Sequence, residues 1–171
     1  MEEFVVLVDH QDQELGLMEK QQAHVAGLLH RAFSVFVFNS KGELMLQQRA
    51  ATKYHSPTLW TNTCCSHPRE NETYLDAAHR RLQEEMGFNC ELFHKFHFIY
   101  KANLDNGLTE HELDHVFIGI YDEEPILNKH EVMAYRWVEM DDLKKDIEKN
   151  PHNYTAWFKI IFDQYISHIE A

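Results

Sequence analysis

The segment His30-Arg31-Ala32-Phe33-Ser34-Val35-Phe36-Val37-Phe38 is the strongest strand signal in the chain, a run rich in β-branched and aromatic residues. It stops at Asn39-Ser40-Lys41-Gly42, a turn in which Gly42 can take a left-handed backbone, and residues 44–48 read as the antiparallel return. Upstream, residues 3–8 read as a strand, 9–13 as a polar turn and 15–19 as the second arm of a hairpin. Downstream, periodicity disappears over residues 51–68, where Tyr54-His55-Ser56-Pro57 and His67-Pro68 mark loops around a short extended piece at 59–65.

The clearest helix spans residues 73–86. Leu75, Ala78, Leu82 and Met86 form its apolar stripe and Gly87 supplies the stop. Its polar face pairs Arg81 with Glu85 and Arg80 with Glu84 at i,i+4. Strands follow at 93–101 and 113–121 around the turn Leu104-Asp105-Asn106-Gly107, with another at 132–138. Residues 141–150 and a final segment opening at Tyr154 or Thr155 read as helices. With no repeats or linkers, this order predicts an α+β fold over residues 1–171 as a single domain, a mixed sheet core with packed helices.

The 171 residues include 16 Lys and Arg against 28 Asp and Glu, a formal net charge of −12. That balance argues against nucleic acid as a partner, yet a few local cations or bound metals can still prepare one cleft for a small phosphorylated substrate. No apolar run is long enough to span a bilayer, and MEEFVVLVDH has acidic residues where a secretory leader has basic ones. The expectation is a cytoplasmic protein without a membrane partner, a monomer or weak homodimer, with Cys64, Cys65 and Cys90 as free thiols.

Thirteen histidines are the unusual feature, several of them close to Cys and Glu. In an extended segment Glu110 and Glu112 point to the same side, where their charges repel unless a cation holds them. A borderline divalent ion such as zinc or manganese suits a mixture of carboxylates with the imidazoles of His24, His30 and His67. The alternative is a solvated strand end, and neither HExxH nor paired CxxC is present. Cys65 and His67 share a face if extended, as nucleophile and base or as acid and metal ligand; a buried inert thiol is the plainer reading. Cys64 must then face the other way. Glu85, with Arg81 one turn earlier, could touch a metal while the arginine touches its phosphate; an ordinary solvent-facing ion pair is the alternative. Lys20, Arg49, Lys53 and Arg69 are further basic residues, spread over apparent loops.

Together these segments resemble the type 1 isopentenyl-diphosphate delta-isomerases, members of the wider Nudix-like fold family. The matching stretches are Leu29 to Phe36 (LHRAFSVF), Leu46-Gln47-Gln48-Arg49, Trp60 to Pro68 (WTNTCCSHP), Ala77 to Leu82 (AAHRRL) and Glu110 to His115 (EHELDH). They extend over essentially the whole chain, and TNTCCSHP is the most specific. The hydrolytic Nudix signature, G-x5-E-x7-R-E-U-x-E-E-x-G-U with U aliphatic, is only partly met. Glu72, Arg80, Leu82, Glu84, Glu85 and Gly87 fit, whereas Ser66 replaces the first glycine, Arg81 the glutamate after the arginine, and Phe88 departs mildly. Replacing a metal-binding carboxylate by a cation points away from hydrolysis and toward a diphosphate held intact.

The resemblance implies a Nudix-like mixed-sheet fold and reversible conversion of isopentenyl diphosphate to dimethylallyl diphosphate in isoprenoid biosynthesis. It implies a zinc, manganese or magnesium ion on His24, His30, His67, Glu110 and Glu112. It also implies a magnesium ion bound with the substrate diphosphate and leaning on Glu85. The diphosphate would meet Lys20, Arg49, Lys53, Arg69 and Arg81. Cys65 and Glu112 match the two residues that donate and remove the proton, their roles exchanging with direction. Tyr100 matches a tyrosine near the acid, and Trp157 an aromatic that covers the carbocation, on a last helix implied to be a lid. The rival readings are a Nudix-type diphosphate hydrolase, a non-catalytic metal-binding domain and a thiol hydrolase using Cys65 and His67.

Overall fold

The computed structural model describes residues 3–170. β1 (Phe4–Val8) and β2 (Glu14–Glu19) form the expected hairpin. β3 (His30–Phe38) matches the quoted segment residue for residue. It is covered on both faces, with Phe33, Val35 and Val37 in one apolar cluster and Phe36 in another, which explains its nearly continuous apolar run. It runs parallel to β8 (Thr109–Ile120), from His30↔Glu112 to Phe38↔Ile120. On its other edge β6 (Cys64–Ser66) pairs antiparallel, with Ser34 opposite Cys65.

The return strand departs from expectation. β4 (Leu44–Arg49) meets β3 only at Phe38↔Leu44 and instead pairs with β9 (Val132–Val138), from Leu44↔Val138 to Arg49↔Val132. Thr63 is the wedge: its Oγ1 accepts the Val37 N–H at 2.9 Å and donates to the Met45 carbonyl at 2.6 Å. A side-chain hydroxyl thus bridges the two strands where a direct ladder would otherwise run. β5 (Trp60–Thr61) adds to the edge of β4 opposite β9, and β7 (Phe93–Asn103) pairs antiparallel with β8 along their length.

Helices cover both faces. α2 (Tyr74–Met86) packs Ala77, Ala78, Leu82 and Met86 over one, capped by the Thr73 hydroxyl and ended by Gly87 at φ +70°. A Cβ at Gly87 would lie 2.3 Å from the Ile126 carbonyl oxygen, so no other residue fits there without movement. Leu75 leaves the expected stripe and is 40% exposed, with Tyr74 packing against the cluster instead. α3 (Met140–Lys149) and α4 (Ala156–Glu170) cover the opposite face, where Leu143, Phe158 and Ile161 are fully buried. α1 (Lys20–Ala26) has no counterpart among the expected elements. Its N-terminus is capped by the Glu19 carboxylate, and it closes at Gly27 with a left-handed backbone. Among the described residues no helix is long and apolar enough to cross a membrane.

Candidate active site

The parallel register of β3 and β8 sets His30 beside Glu112, although 82 residues separate them in the chain. His30 Nε2 lies 3.2 Å from Glu112 Oε2, and His67, just after β6, approaches the same oxygen at 2.8 Å. Two residues earlier on β8, Glu110 lies on the same face, where α1 delivers His24 to within 3.1 Å of Glu110 Oε1. One donor atom from each of these five side chains lies within 4.8 Å of the others, and only His67 is not fully buried.

The donor set fits a divalent cation. His24 Nε2 and Glu110 Oε2 are buried with no hydrogen-bond partner, a costly state for polar atoms unless an ion satisfies them. The outward nitrogens are anchored as ligating histidines require: His30 Nδ1 donates to the Leu28 carbonyl at 2.9 Å, and His24 Nδ1 meets the Tyr54 hydroxyl at 2.8 Å. Burial holds the His67 imidazole well below its ordinary range, helped by His30 and His24, leaving a neutral ring with a lone pair to give. Burial pushes Glu110 up, but the His24 and His55 rings outweigh it and hold the carboxyl well below the usual range. Burial and then the Glu110 charge raise Glu112 to about 7.

A cleft opens beside this centre, lined by Cys65, Glu112, Trp157, Lys20, Arg49, Lys53 and Arg81 among others. Cys64 is fully buried against α2, while Cys65 faces the cleft, as alternation along β6 requires. Burial holds the Cys65 thiol up against the pull of Arg49, so it is a protonated acid at neutral pH rather than a thiolate nucleophile. The Tyr100 hydroxyl donates a short hydrogen bond to Glu112 Oε1 from the facing position on β7. Glu112 and Cys65 therefore come from the two strands that flank β3 on opposite edges. Trp157 is almost fully buried in the first turn of α4, its indole N–H without a partner and its ring against the Arg49 guanidinium at 5.1 Å.

The basic residues are better anchored than loops would allow. Lys20 opens α1, Arg49 ends β4 and Arg81 lies on α2. Arg49 donates to the carbonyls of Ser56 at 3.1 Å and His55 at 3.1 Å, and so holds the 55–58 loop. Lys20 pairs with Glu3, Lys53 with Glu131, and Arg81 with Glu85 at 2.7 Å. Arg69 lies apart: it lines an adjoining cavity with Arg80 and Arg81 rather than the cleft itself. Glu85 is buried, which removes the solvent-facing ion pair as its explanation. It accepts from Gln47 Nε2 at 2.9 Å as well as from Arg81, and it belongs to neither cluster of three or more ligating side chains among the described residues.

Several neighbours escape sequence reasoning. His55 Nε2 stands 3.3 Å from Glu110, Tyr54 backs His24, Gln47 orients Glu85 and Glu131 neutralises Lys53. The first two sit in a segment without periodicity, where an aromatic and a histidine beside Lys53 were the available signal.

A NUDIX domain model matches residues 28–158. Solved structures of similar fold include DR0079 of Deinococcus radiodurans, with a TM-score of 0.78 at 18% identity over 95% of this chain and 99% of that one. The MutT protein of Methanosarcina mazei Go1 gives 0.67 at 17% identity over 84% and 96%. At these identities the likeness is one of fold. The relatives in sequence are closer. The protein named Isopentenyl-diphosphate Delta-isomerase 2 from Photorhabdus laumondii is 55% identical over 95% of this chain and 92% of its own. The protein of the same name from Aromatoleum aromaticum is 52% identical over 98% and 88%. The chain is a NUDIX-domain protein and belongs to the isopentenyl-diphosphate Delta-isomerase family.

Proposed function

We propose that this chain interconverts isopentenyl diphosphate and dimethylallyl diphosphate, with Cys65 and the Tyr100–Glu112 pair as the proton-handling groups. The observation that carries the reading is their convergence on one cleft from opposite edges of β3, beside a row of cations. An unactivated alkene is a very weak base, so its terminal carbon takes a proton only from a positioned acid, with a stabilised tertiary carbocation as the result. Loss of a proton from the neighbouring allylic carbon then leaves the double bond shifted by one position. Both groups can hold a proton: the Cys65 thiol by burial, and Glu112 because burial and the Glu110 charge raise its carboxyl to about 7. Which of them gives and which takes reverses with the direction of reaction.

Lys20, Arg49, Lys53 and Arg81 bind the diphosphate in this reading, and Arg69 acts only from the adjoining cavity. Their carboxylate partners, Glu3 and Glu131 especially, exchange places with phosphate oxygens as substrate arrives. Trp157 offers ring π density to the cation, worth about 0.5–2 kcal/mol, and its burial among Phe158, Ile161 and their neighbours keeps water from trapping that cation as an alcohol. When bound, a zinc, manganese or magnesium ion on His24, His30, His67, Glu110 and Glu112 supplies the positive charge that keeps two adjacent carboxylates ionised, and magnesium beside Glu85 neutralises the diphosphate. Arg81 in place of a signature glutamate favours holding that diphosphate over splitting it. Three free cysteines suit the reducing cytoplasm.

Proton and phosphorus NMR of the purified protein with isopentenyl diphosphate in deuterated water, with magnesium plus trace zinc or manganese, tests the reading. A second methyl signal with deuterium uptake and an intact diphosphate is the expected result. Release of orthophosphate or diphosphate would replace it with the hydrolase.

A further inference from the structure

Strand β8 presents different chemistry on its two faces. Glu110 and Glu112 face the cleft, while His115 faces the opposite side, next to His94 and His97 of β7. His94 Nε2 lies 2.8 Å from His115 Nδ1, and the His97 ring stacks on His115 with centroids 5.0 Å apart. One nitrogen from each of the three rings lies within 4.8 Å of the others. His94 and His97 are exposed, and His115 is partly covered.

A second layer stands behind His115. Its Nε2 points toward Asp12 Oδ2 at 3.8 Å, and the Tyr74 ring stacks on it at 3.8 Å. Asp12 is itself fixed by the Arg31 Nε at 2.9 Å and by the Tyr74 hydroxyl at 2.9 Å. At 3.8 Å the Asp12 carboxylate acts on His115 through its charge, favouring the proton on Nε2 and leaving Nδ1, which faces His94, for a metal. Two imidazoles on a tetrahedral zinc, with bonds of about 2.05 Å, stand roughly 3.4 Å apart, so the His94–His115 pair has only to open slightly. Three imidazoles without a carboxylate in contact suit zinc, copper or nickel and not magnesium or calcium.

We infer that His94, His97 and His115 form a second metal site, across the sheet from the cleft, that takes a late first-row divalent ion such as zinc, with Asp12 orienting His115. An ion there ties the β7–β8 hairpin, through Asp12 and Tyr74, to the β1–β2 turn and the start of α2.

The test is calorimetric titration of the whole protein with zinc chloride, without substrate, for the wild type and the His94→Gln/His97→Gln double variant. The double variant should bind one molar equivalent fewer, with isomerase turnover and thermal unfolding of the zinc-free protein unchanged. Asp12→Asn should keep the equivalent and bind it about 10–100-fold more weakly. Equal stoichiometry in wild type and double variant would overturn the site. So would a zinc-dependent dimer of the wild type in sedimentation velocity that the double variant does not form, because the exposed histidines would then be bridging two copies.

Discussion

The two faces of the sheet are made by the same strands and do different work. On β6, Cys64 is sealed against α2 and Cys65 opens to the cleft; on β8, Glu112 meets two histidines and a tyrosine while His115 stands among imidazoles near the surface. The cleft face places two carboxylates and three histidines out of water, where only a cation balances them. The α2 face uses imidazoles and apolar packing, which tolerate partial solvent and call for no ion in order to fold. Alternation along a strand thus lets neighbouring residues belong to separate chemistries, provided each face has its own cover.

The sharpest test of that division is the cysteine pair. Cys65→Ala should lower kcat by about 10³-fold or more, with the unfolding transition retained, whereas Cys64→Ala should leave kcat within about twofold and cost about 1 kcal/mol of stability from the small void it leaves. Steady-state turnover and chemical denaturation read both; equal loss of turnover in the two variants would erase the distinction between faces. Next in size, Tyr54→Phe should weaken metal binding at the His24 centre by about 10–100-fold through loss of its hydrogen bond to His24, without touching zinc affinity at His115. Competition with a chelating indicator separates the two sites.

Trp157→Ala should reduce kcat by about 2–30-fold, the range equivalent to 0.5–2 kcal/mol, and change KM less, because its ring acts on a charge that exists only after protonation. A change confined to KM would move Trp157 from the cation to the diphosphate, through its contact with Arg49. The smallest effect belongs to the α2 side. Glu72 lies below the usual carboxylate range chiefly because Arg80 hydrogen-bonds to it, through Nε at 2.8 Å and a terminal nitrogen at 2.9 Å. A depressed folded pKa means the contribution is present above the unfolded value near 4.5 and is lost as pH falls through the folded one. Glu72→Gln should therefore cost at most about 1 kcal/mol at pH 7, with the gap to wild type closing below about pH 4.5; turnover should not follow it.

Much of the architecture was readable because local rules decided it. β3 is a strand by its β-branched and aromatic content, α2 a helix by its stripe and its Gly87 stop, and β1–β2 a hairpin by its polar turn. The parting of β4 from β3 toward β9 was not readable, since the Thr63 hydroxyl that separates the two strands comes from a segment with no periodicity. Nor was α1, a short helix capped by a glutamate where a Ser, Thr, Asp or Asn would have signalled it. The burial of Glu85 was hidden for a similar reason: an i,i+4 pair with arginine looks the same on paper whether Gln47 covers it or water does.

The sequence by itself determined β3, β4 and α2, the opposed orientations of Cys64 and Cys65, and the shared face of Glu110 and Glu112, though the strand carrying those two begins at Thr109, four residues before the expected start. These follow from the two-residue repeat of a strand and the 3.6-residue turn of a helix, which act within a few residues. Only the tertiary structure decided that His30 stands beside Glu112, that His24 arrives on a helix and that Arg69 falls outside the cleft. The same holds for His55, Tyr54 and Gln47 as neighbours of the site, and for the three histidines gathered behind it. Those facts depend on a parallel register between strands far apart in the chain and on which cover packs over each face. Such pairings are selected by burial of the whole sheet, and no local pattern records them.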